Sequence, residues 1–315
     1  MLAFLLALQV ISFDSSDSLI AHHYFQVGDS LYNSSQLDSS IYYYNKAREI
    51  YLELERWEDY IKCSRVIGFN LAITTQYKSA FITINEALKI GEQKLGEDHI
   101  ALSGLYNVLG IVHHYQGDYD MSLFYFQKIK DMRIQTLGAS HLLVAASYNN
   151  LGIVFLDRGF YQKALQYYNL DLAISIKSLG DGHPAIATSY NNMGNAHRYN
   201  GDYDQAESLH LKALNVFLKN FGVDHRGVGN SYNNLGEVYR LKRNYDKAID
   251  NYKKAILNKS KNLGSEHPSL ANSYNNLGII YYETEKFDSA IVYYKMSVTI
   301  KTKTLGEKHP DVASS

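Results

Sequence analysis

A glycine that returns every 42 residues is the feature that most limits the folds open to this chain. It sits in the pattern Tyr232-x2-Leu235-Gly236-x2-Tyr239 and recurs at Gly110, Gly152, Gly194, Gly236 and Gly278. A second glycine, with histidine three residues later, keeps the same step at Gly96, Gly138, Gly180, Gly222, Gly264 and Gly306. Periods of roughly 20 to 50 residues are typical of stacked-repeat proteins, in which each unit buries its apolar side against its neighbours.

Each unit has the pattern of two helices joined by a short turn. In the first helix, Tyr190, Met193, Gly194 and His197 fall on one stripe at about 100° per residue. A glycine in mid-helix costs about 1 kcal/mol relative to alanine, so close approach of the partner helix is the expected compensation. Small residues follow the glycines by twelve positions, where the partner helix would meet them: Ala164, Ala206, Ala248 and Ala290.

The turns predict where these helices begin and end. The second helix of one unit should run from about Tyr203 to Phe221 and end at Gly222, because glycine accepts the positive φ that stops a helix. Pro184 suits a first helical position, which places His183 at the cap. The repeated histidines could also suggest a metal site. However, matching atoms of two histidines one repeat apart should be about 10 Å from each other, whereas each ligand of a zinc ion lies roughly 2 Å from the metal, so two of them could not bind the same ion. The remaining histidines predicted as loop and cap residues are His99, His141, His225, His267 and His309.

Together these patterns predict an all-α fold, a right-handed α-solenoid of about seven helix pairs. We expect an irregular first repeat over 17–57, a second over 58–99 and five regular repeats over 100–308. Residues 309–315 would begin a further repeat. Terminal repeats normally carry a polar outer face, and none is seen here, so more protein is expected after Ser315.

The first residues allow two interpretations. Residues 1–13 are apolar and are followed by the polar run Asp14-Ser15-Ser16-Asp17-Ser18. Because a membrane-spanning helix needs about 20 apolar residues, this run is too short to span a membrane. Residues 1–16 are therefore either a signal peptide or a capping segment over the first repeat. No basic residue precedes the run and no Ala-x-Ala site follows it, yet the polar stretch behind it favours export over a cytoplasmic location.

The repeat motifs resemble those of a known family. The runs Asn191-Asn192-Met193-Gly194, Tyr203-Asp204-Gln205-Ala206-Glu207 and Leu263-Gly264-Ser265-Glu266-His267-Pro268 are similar to the 42-residue tetratricopeptide (TPR) repeats of kinesin light chains and their bacterial relatives. The resemblance covers residues 58–315 well and 17–57 loosely. It implies a TPR array whose concave groove, lined by the first helix of each pair, binds a peptide or protein segment. In bacterial relatives such arrays often precede a CHAT protease, a histidine kinase or a DNA-binding domain.

Paired asparagines are the most informative polar feature. On the helical wheel, Asn192 lies opposite the packing stripe with Thr188, Asn195 and Tyr199. An amide offers a donor and an acceptor, so it can pair with the backbone of an extended peptide. An alternative is that these amides bridge adjacent helices. We expect the second member of each pair to face the groove and leave the first undecided; the second members are Asn150, Asn192, Asn234 and Asn276.

Charged residues flank the same face. Arg198 and Arg240 occupy matching places in successive repeats, and Glu237 lies one turn before Arg240. Two stacked guanidinium groups would suit a carboxylate on a partner. Solvation, or pairing with acidic residues across repeats, is the equally open alternative. Asp171 falls in a slot that other units fill with small or apolar residues, so a buried carboxylate there would need a partner or a raised pKa. The favoured alternative is a local shift that lets the carboxylate reach water or a tyrosine hydroxyl.

Composition and the absence of known motifs exclude several classes of function for this chain. A net charge of −1 gives no electrostatic footprint for nucleic acid, and a single cysteine, Cys63, excludes an intrachain disulfide. No phosphate-binding loop, nucleophile elbow or HExxH motif is found, so no cofactor or catalytic residue is assigned. We therefore predict a non-catalytic module that binds a protein or peptide. The alternatives are the sensory arm of a larger bacterial signalling protein, with its effector domain beyond residue 315, and an architectural spacer.

Overall fold

The computed structural model describes the backbone of residues 2–305 and the side chains of residues 16–303 other than Pro268. Its described residues form fourteen helices and no strand. The chain divides into two compact units, Met1–Val154 and Phe155–Ser315. In order, the helices are α1 (Leu2–Asn33), α2 (Leu37–Glu53), α3 (Trp57–Ile73), α4 (Tyr77–Leu95), α5 (Leu102–Tyr115), α6 (Tyr119–Leu137), α7 (Leu142–Asp157), α8 (Tyr161–Leu179), α9 (Pro184–Tyr199), α10 (Tyr203–Phe221), α11 (Arg226–Leu241), α12 (Tyr245–Leu263), α13 (Pro268–Glu283) and α14 (Phe287–Leu305).

This element order confirms the predicted all-α fold of about seven helix pairs. Helix α1 runs without a break through the proposed boundary near residue 16, and whether residues 1–16 are a signal peptide or a cap stays a prediction. The expected further repeat at 309–315 lies outside the described residues. No helix in the described part of the chain has the length and apolarity needed to cross a membrane.

The repeated glycine marks the point where the two helices of a pair touch. A Cβ placed on Gly194 would lie 2.7 Å from the ring of His210, and one on Gly236 would lie 2.9 Å from the ring of Tyr252. These separations are shorter than van der Waals contact, so only glycine fits. In the first helix pair the corresponding glycine is Gly28. The hydroxyl of Ser40, twelve residues later, donates a hydrogen bond to the carbonyl oxygen of Gly28 at 2.9 Å. The predicted close contact is thereby confirmed.

The helix ends also follow the sequence. Helix α10 ends at Gly222, whose φ of 75° stops it as predicted. Pro184 opens α9, and the His183 ring nitrogen Nδ1 accepts a hydrogen bond from the Ala185 backbone N–H at 3.2 Å. Histidine thus caps the first helix of the pair, in the role that serine or aspartate usually takes. The same bond to the residue two positions on is made by His99, His141, His225 and His267.

The core of the second unit is shared between successive repeats. One buried cluster joins Phe217 of α10, Val228 and Leu235 of α11, Tyr252 of α12 and Leu277 of α13. Burying an aliphatic or aromatic side chain of this size contributes about 1.5–3 kcal/mol. Because each helix pair supplies only part of the cluster, no repeat can bury its apolar side alone.

Candidate binding groove

A cavity of about 630 Å³ opens along α9 and α11 in the second unit. Six asparagines from two successive repeats are among its lining residues, so side-chain amides are the most frequent polar groups offered to a ligand. Thr188 and Arg226 add a hydroxyl and a positive charge. The six are Asn191, Asn192, Asn195, Asn230, Asn233 and Asn234.

The first asparagines of two pairs, Asn191 and Asn233, each bond to a serine of the next repeat. Asn191 Nδ2 donates to the Ser231 hydroxyl at 3.4 Å, and its Oδ1 lies 2.9 Å from Nδ1 of His210. Asn233 Oδ1 accepts from the Ser273 hydroxyl at 3.0 Å, again in the next repeat. These two amides, whose role the wheel left undecided, hold neighbouring helices together.

The second asparagines are arranged differently. Asn192 and Asn234 are half-buried and line the cavity, beside Asn195. Neither Asn195 nor Asn234 makes a side-chain hydrogen bond to another residue in the described part of the chain. Asn150, in the first unit, instead donates from Nδ2 to Oδ1 of Asn107 at 2.8 Å. Asn276 is half-buried on α13 and is not among the residues that line this cavity.

An aromatic platform forms one wall, and the sequence reasoning missed it. The His225 ring stacks on Phe221 with centroids 4.2 Å apart and lies 5.4 Å from Phe217. Phe221 remains 49% exposed, so its ring is available to an apolar group. Burial, and then the positive charge of Arg226, lowers the pKa of His225. Aromatic residues in the last two turns of α10, four and eight positions before the marker histidine, were the available signal.

The charged flank is satisfied within the protein. Glu237 accepts from Arg240 at 2.8 and 3.1 Å and from the Tyr252 hydroxyl at 2.8 Å. Burial alone would raise the pKa of Glu237, but the hydrogen bonds from Arg240 and Tyr252 hold it below its usual value. Arg240 also donates to Glu283 at 2.9 Å, and Arg198 lies 4.0 Å from Glu237. Arg198 and Arg240 were expected either to bind a carboxylate on a partner or to be solvated or paired with acidic residues across repeats. In the structure they are paired across repeats, with Glu237 and Glu283.

Tyr199 lies at the end of α9, outside the cavity lining. Its ring is 53% exposed and stacks on Tyr161 with centroids 5.9 Å apart. The Arg198 guanidinium lies 4.0 Å from the centre of the Tyr199 ring, a cation–π arrangement. Of the nine predicted groove residues, the cavity brings together Asn192, Asn195 and Asn234.

Asp171 on α8 is buried, so the favoured expectation that a local shift brings its carboxylate to water or to a tyrosine hydroxyl is wrong. Its carboxylate accepts from the hydroxyls of Ser189 at 2.6 Å and Ser175 at 3.1 Å. Burial raises the pKa of Asp171, while these two hydrogen bonds act in the opposite direction. The partners are serine hydroxyls, and the serine that matters most belongs to the next repeat.

The sequence matches the tetratricopeptide repeat family model in five overlapping segments. They cover residues 64–135, 101–174, 143–219, 185–256 and 227–303. The chain belongs to the tetratricopeptide repeat family. Matched segments extend over all five regular repeats, so the TPR resemblance inferred from the glycine spacing is confirmed. No sequence among curated proteins matches this TPR chain.

Several solved structures share the TPR fold. BtubC (BKLC) from P. vanneervenii is 24% identical, with a TM-score of 0.60 over 75% of this chain and 93% of that one. A Podosopora anserina protein with nearly identical TPR-like repeats of the kinesin light chain type is 21% identical, with a TM-score of 0.54 over 65% and 98%. Aspartyl phosphate phosphatase F from Bacillus subtilis is 18% identical, with a TM-score of 0.67 over 96% and 75%. At these identities the likeness concerns the fold.

Proposed function

We propose that this TPR protein is a non-catalytic interaction module that binds an extended peptide segment in the groove between α9 and α11. Family membership supports the general role of a protein-interaction scaffold. The observation that carries the specific proposal is the amide-lined cavity of about 630 Å³. Asn195, Asn230 and Asn234 there make no side-chain hydrogen bond to another described residue, so their donors and acceptors can serve a ligand.

The dimensions suit an extended chain. Adjacent helices pack roughly 8–10 Å apart, and an extended peptide advances about 3.3 Å per residue, so one repeat serves about three ligand residues. Two repeats would then hold about six residues, with Asn192 and Asn234 pairing with the peptide backbone at intervals of about three. The exposed ring of Phe221 and its stacked neighbour His225 would accept an apolar side chain of the same peptide.

The test is a double substitution compared with a matched control. A ligand is first selected from a displayed library of random peptides against the wild-type chain, and its affinity is measured by fluorescence anisotropy. Asn192→Ala with Asn234→Ala removes up to four hydrogen bonds, each worth about 0.5–1.5 kcal/mol net, so the selected peptide should bind at least about tenfold more weakly. Thermal unfolding should barely change.

Asn169→Ala with Asn215→Ala is the control, since both residues are exposed on the second helices of their pairs. This control should bind the selected peptide as tightly as wild type. If the groove pair loses thermal stability while peptide affinity stays the same, the amides are structural and the proposal is wrong.

The second hypothesis places the same groove in the sensory arm of a larger signalling protein with an effector domain beyond residue 315. Binding in the groove is common to both hypotheses, so the affinity measurement serves both. Sequencing the locus beyond residue 315 separates them, because a stop codon there would exclude the effector domain. An architectural spacer would show no peptide binding in either variant.

A further inference from the structure

The net charge of −1 conceals an uneven distribution of charge along the chain. Residues 155–315 hold 20 of the 31 lysines and arginines but only 16 of the 32 aspartates and glutamates, so the second unit has a net charge of +4 and the first unit −5. The second helices of its pairs, α8, α10, α12 and α14, contain twelve lysines, six acidic residues and no arginine. The positive charge is therefore concentrated on one set of helices.

Sixteen residues of these four helices form a surface that we call the lysine face. They occupy four matching positions in each helix, spaced i, i+1, i+4 and i+8, which fall within about 100° of the helix circumference. All sixteen are exposed, eight are lysines and none is acidic. In helix order they are Asn169, Leu170, Ala173, Lys177, Leu211, Lys212, Asn215, Lys219, Lys253, Lys254, Leu257, Lys261, Lys295, Met296, Thr299 and Lys303.

The same positions in the first unit are not basic. Their twelve residues, on α2, α4 and α6, include three lysines and four acidic residues. At the last of the four positions the first unit has Glu53, Gln93 and Gln135, whereas the second unit has a lysine in every repeat. Because the fold accepts glutamine or glutamate at this position, the four lysines are not required to build a repeat. The lysine face is a property of the second unit alone.

Most of these lysines have no acidic partner. Three of the eight form ion pairs at 2.5 to 2.7 Å with Asp250, Asp224 and Glu266, and these three are Lys254, Lys261 and Lys303. The other five make no ion pair within the part of the chain that the structure describes; they are Lys177, Lys212, Lys219, Lys253 and Lys295. Their charge is therefore available to an anionic partner.

Apolar side chains lie among the lysines. Leu257 on α12 is 71% exposed and lies one turn from both Lys253 and Lys261. Leu211 on α10 is 44% exposed and is next to Lys212. Lysine combined with exposed leucine suits the surface of a lipid bilayer, because the ammonium groups attract anionic headgroups while the leucines enter the boundary between headgroups and acyl chains.

The composition of the lysine face is less suited to nucleic acid. Proteins that bind single strands use aromatic side chains on which the bases stack, and arginine is the residue that binds phosphate in a bidentate geometry. The lysine face contains neither an aromatic residue nor an arginine. Lysine supplies positive charge without a fixed geometry, which fits a fluid layer of headgroups better than an ordered backbone.

We propose that the lysine face of the second unit binds the surface of an anionic lipid bilayer. The lysines lie against the negatively charged headgroups, and the leucine and methionine side chains enter the layer beneath them. This surface lies on α8, α10, α12 and α14, whereas the asparagine groove lies along α9 and α11. Lipid binding by the one face does not depend on peptide binding by the other.

The test is co-sedimentation of the full chain with sucrose-loaded vesicles at physiological ionic strength. Wild type should bind phosphatidylcholine vesicles that contain one third phosphatidylglycerol, should not bind pure phosphatidylcholine, and should be released by high salt. Each lysine near such a surface strengthens binding about fivefold, so Lys212→Gln, Lys219→Gln and Lys253→Gln together should weaken it about 100-fold. Thermal unfolding should not change, since all three side chains are exposed. Failure to bind the anionic vesicles, or equal binding to the neutral ones, would overturn the proposal.

Two further variants distinguish this face from a general effect of charge. Lys46→Gln, Lys89→Gln and Lys128→Gln remove the same number of charges from matching positions in the first unit and should leave vesicle binding as it is in wild type. Equal weakening by both triple variants would contradict the site. Leu211→Gln with Leu257→Gln should weaken vesicle binding about tenfold, because two partly inserted leucines are lost. If that variant binds vesicles as wild type does, or if wild type binds a single-stranded oligonucleotide more tightly than the anionic vesicles, the lipid proposal is wrong.

Discussion

We expect His210 to make the second unit sensitive to mild acid. The side chain is fully buried on α10 against Gly194, and its Nε2 has no hydrogen-bond partner among the described residues. Nδ1 lies 2.9 Å from Oδ1 of Asn191. Burial, and then the charge of Arg198, lowers the pKa of His210 to about 3. The folded state therefore keeps this ring neutral at pH values where the unfolded chain would bind a proton.

The size of the effect follows from linkage. An unfolded histidine has a pKa of about 6.5, so the unfolded state gains protons below that value and stability falls as the pH falls. With a folded value near 3, His210 alone should cost about 2 kcal/mol at pH 5 relative to pH 7.5. Above pH 7 it should cost almost nothing. The loss would continue to grow until the pH approaches the folded pKa.

Hydrogen–deuterium exchange measured by mass spectrometry gives the opening free energies of α9 and α10, after correction for the intrinsic exchange rates. Between pH 7.5 and 5.0, the wild-type chain should lose about 2 kcal/mol more than His210→Phe, because phenylalanine cannot take up a proton. Phe126→His is the reciprocal variant. Phe126 packs on Gly110 as His210 packs on Gly194, so this histidine should give the first unit a similar acid sensitivity.

Parallel pH profiles for wild type and His210→Phe would refute the reasoning. Such a result would mean that His210 is protonated in the folded state or titrates normally. A general loss of exchange protection in His210→Phe at both pH values would not mimic the effect, since only the difference between the two pH values is compared. The Asn191 bond to Ser231 remains in the variant, so the repeat-to-repeat bridge is retained.

Gly236→Ala should destabilise the chain by about 1–2 kcal/mol in thermal unfolding, because the new Cβ meets the buried Tyr252 ring and overpacking outweighs the gain in helix propensity. Gly104→Ala is its control and should cost less, since its Cβ meets only the flexible Arg65 side chain; equal losses would contradict this. Glu237→Gln should cost about 1–2 kcal/mol at pH 7 by urea unfolding, because the lowered pKa of Glu237 stabilises the fold above the usual carboxyl range. No loss would mean that its bonds to Arg240 and Tyr252 contribute little.

Spacing determined most of the fold. The glycine step predicted the helix pairs, the end of α10 at Gly222 and the opening of α9 at Pro184, because each depends on a backbone property of a single residue. The pattern also predicted where helices would touch, since a missing Cβ at Gly194 has a local consequence. These features are encoded within one unit and need no knowledge of distant residues.

The site was predicted only in part, because it depends on which atoms meet across repeats. The helical wheel placed Asn192 and Asn195 on the cavity face. It could not show that Asn150 would pair with Asn107, since that bond joins residues 43 positions apart. Nor could it show the stacking of His225 on Phe221, which depends on how the loop after α10 folds back.

A serine about one turn into the first helix of a pair recurs at the contacts between successive repeats. Ser147 accepts from a guanidinium, Ser189 donates to a carboxylate and Ser273 lies beside an ammonium group. A hydroxyl can reverse its role because it carries both a proton and lone pairs. Each contact between successive repeats can therefore place a positive, a negative or a neutral side chain next to the serine without a change of the serine itself. A repeat can therefore be duplicated or deleted during evolution without a matching substitution at this serine, because the hydroxyl forms a hydrogen bond with whichever side chain the neighbouring repeat supplies.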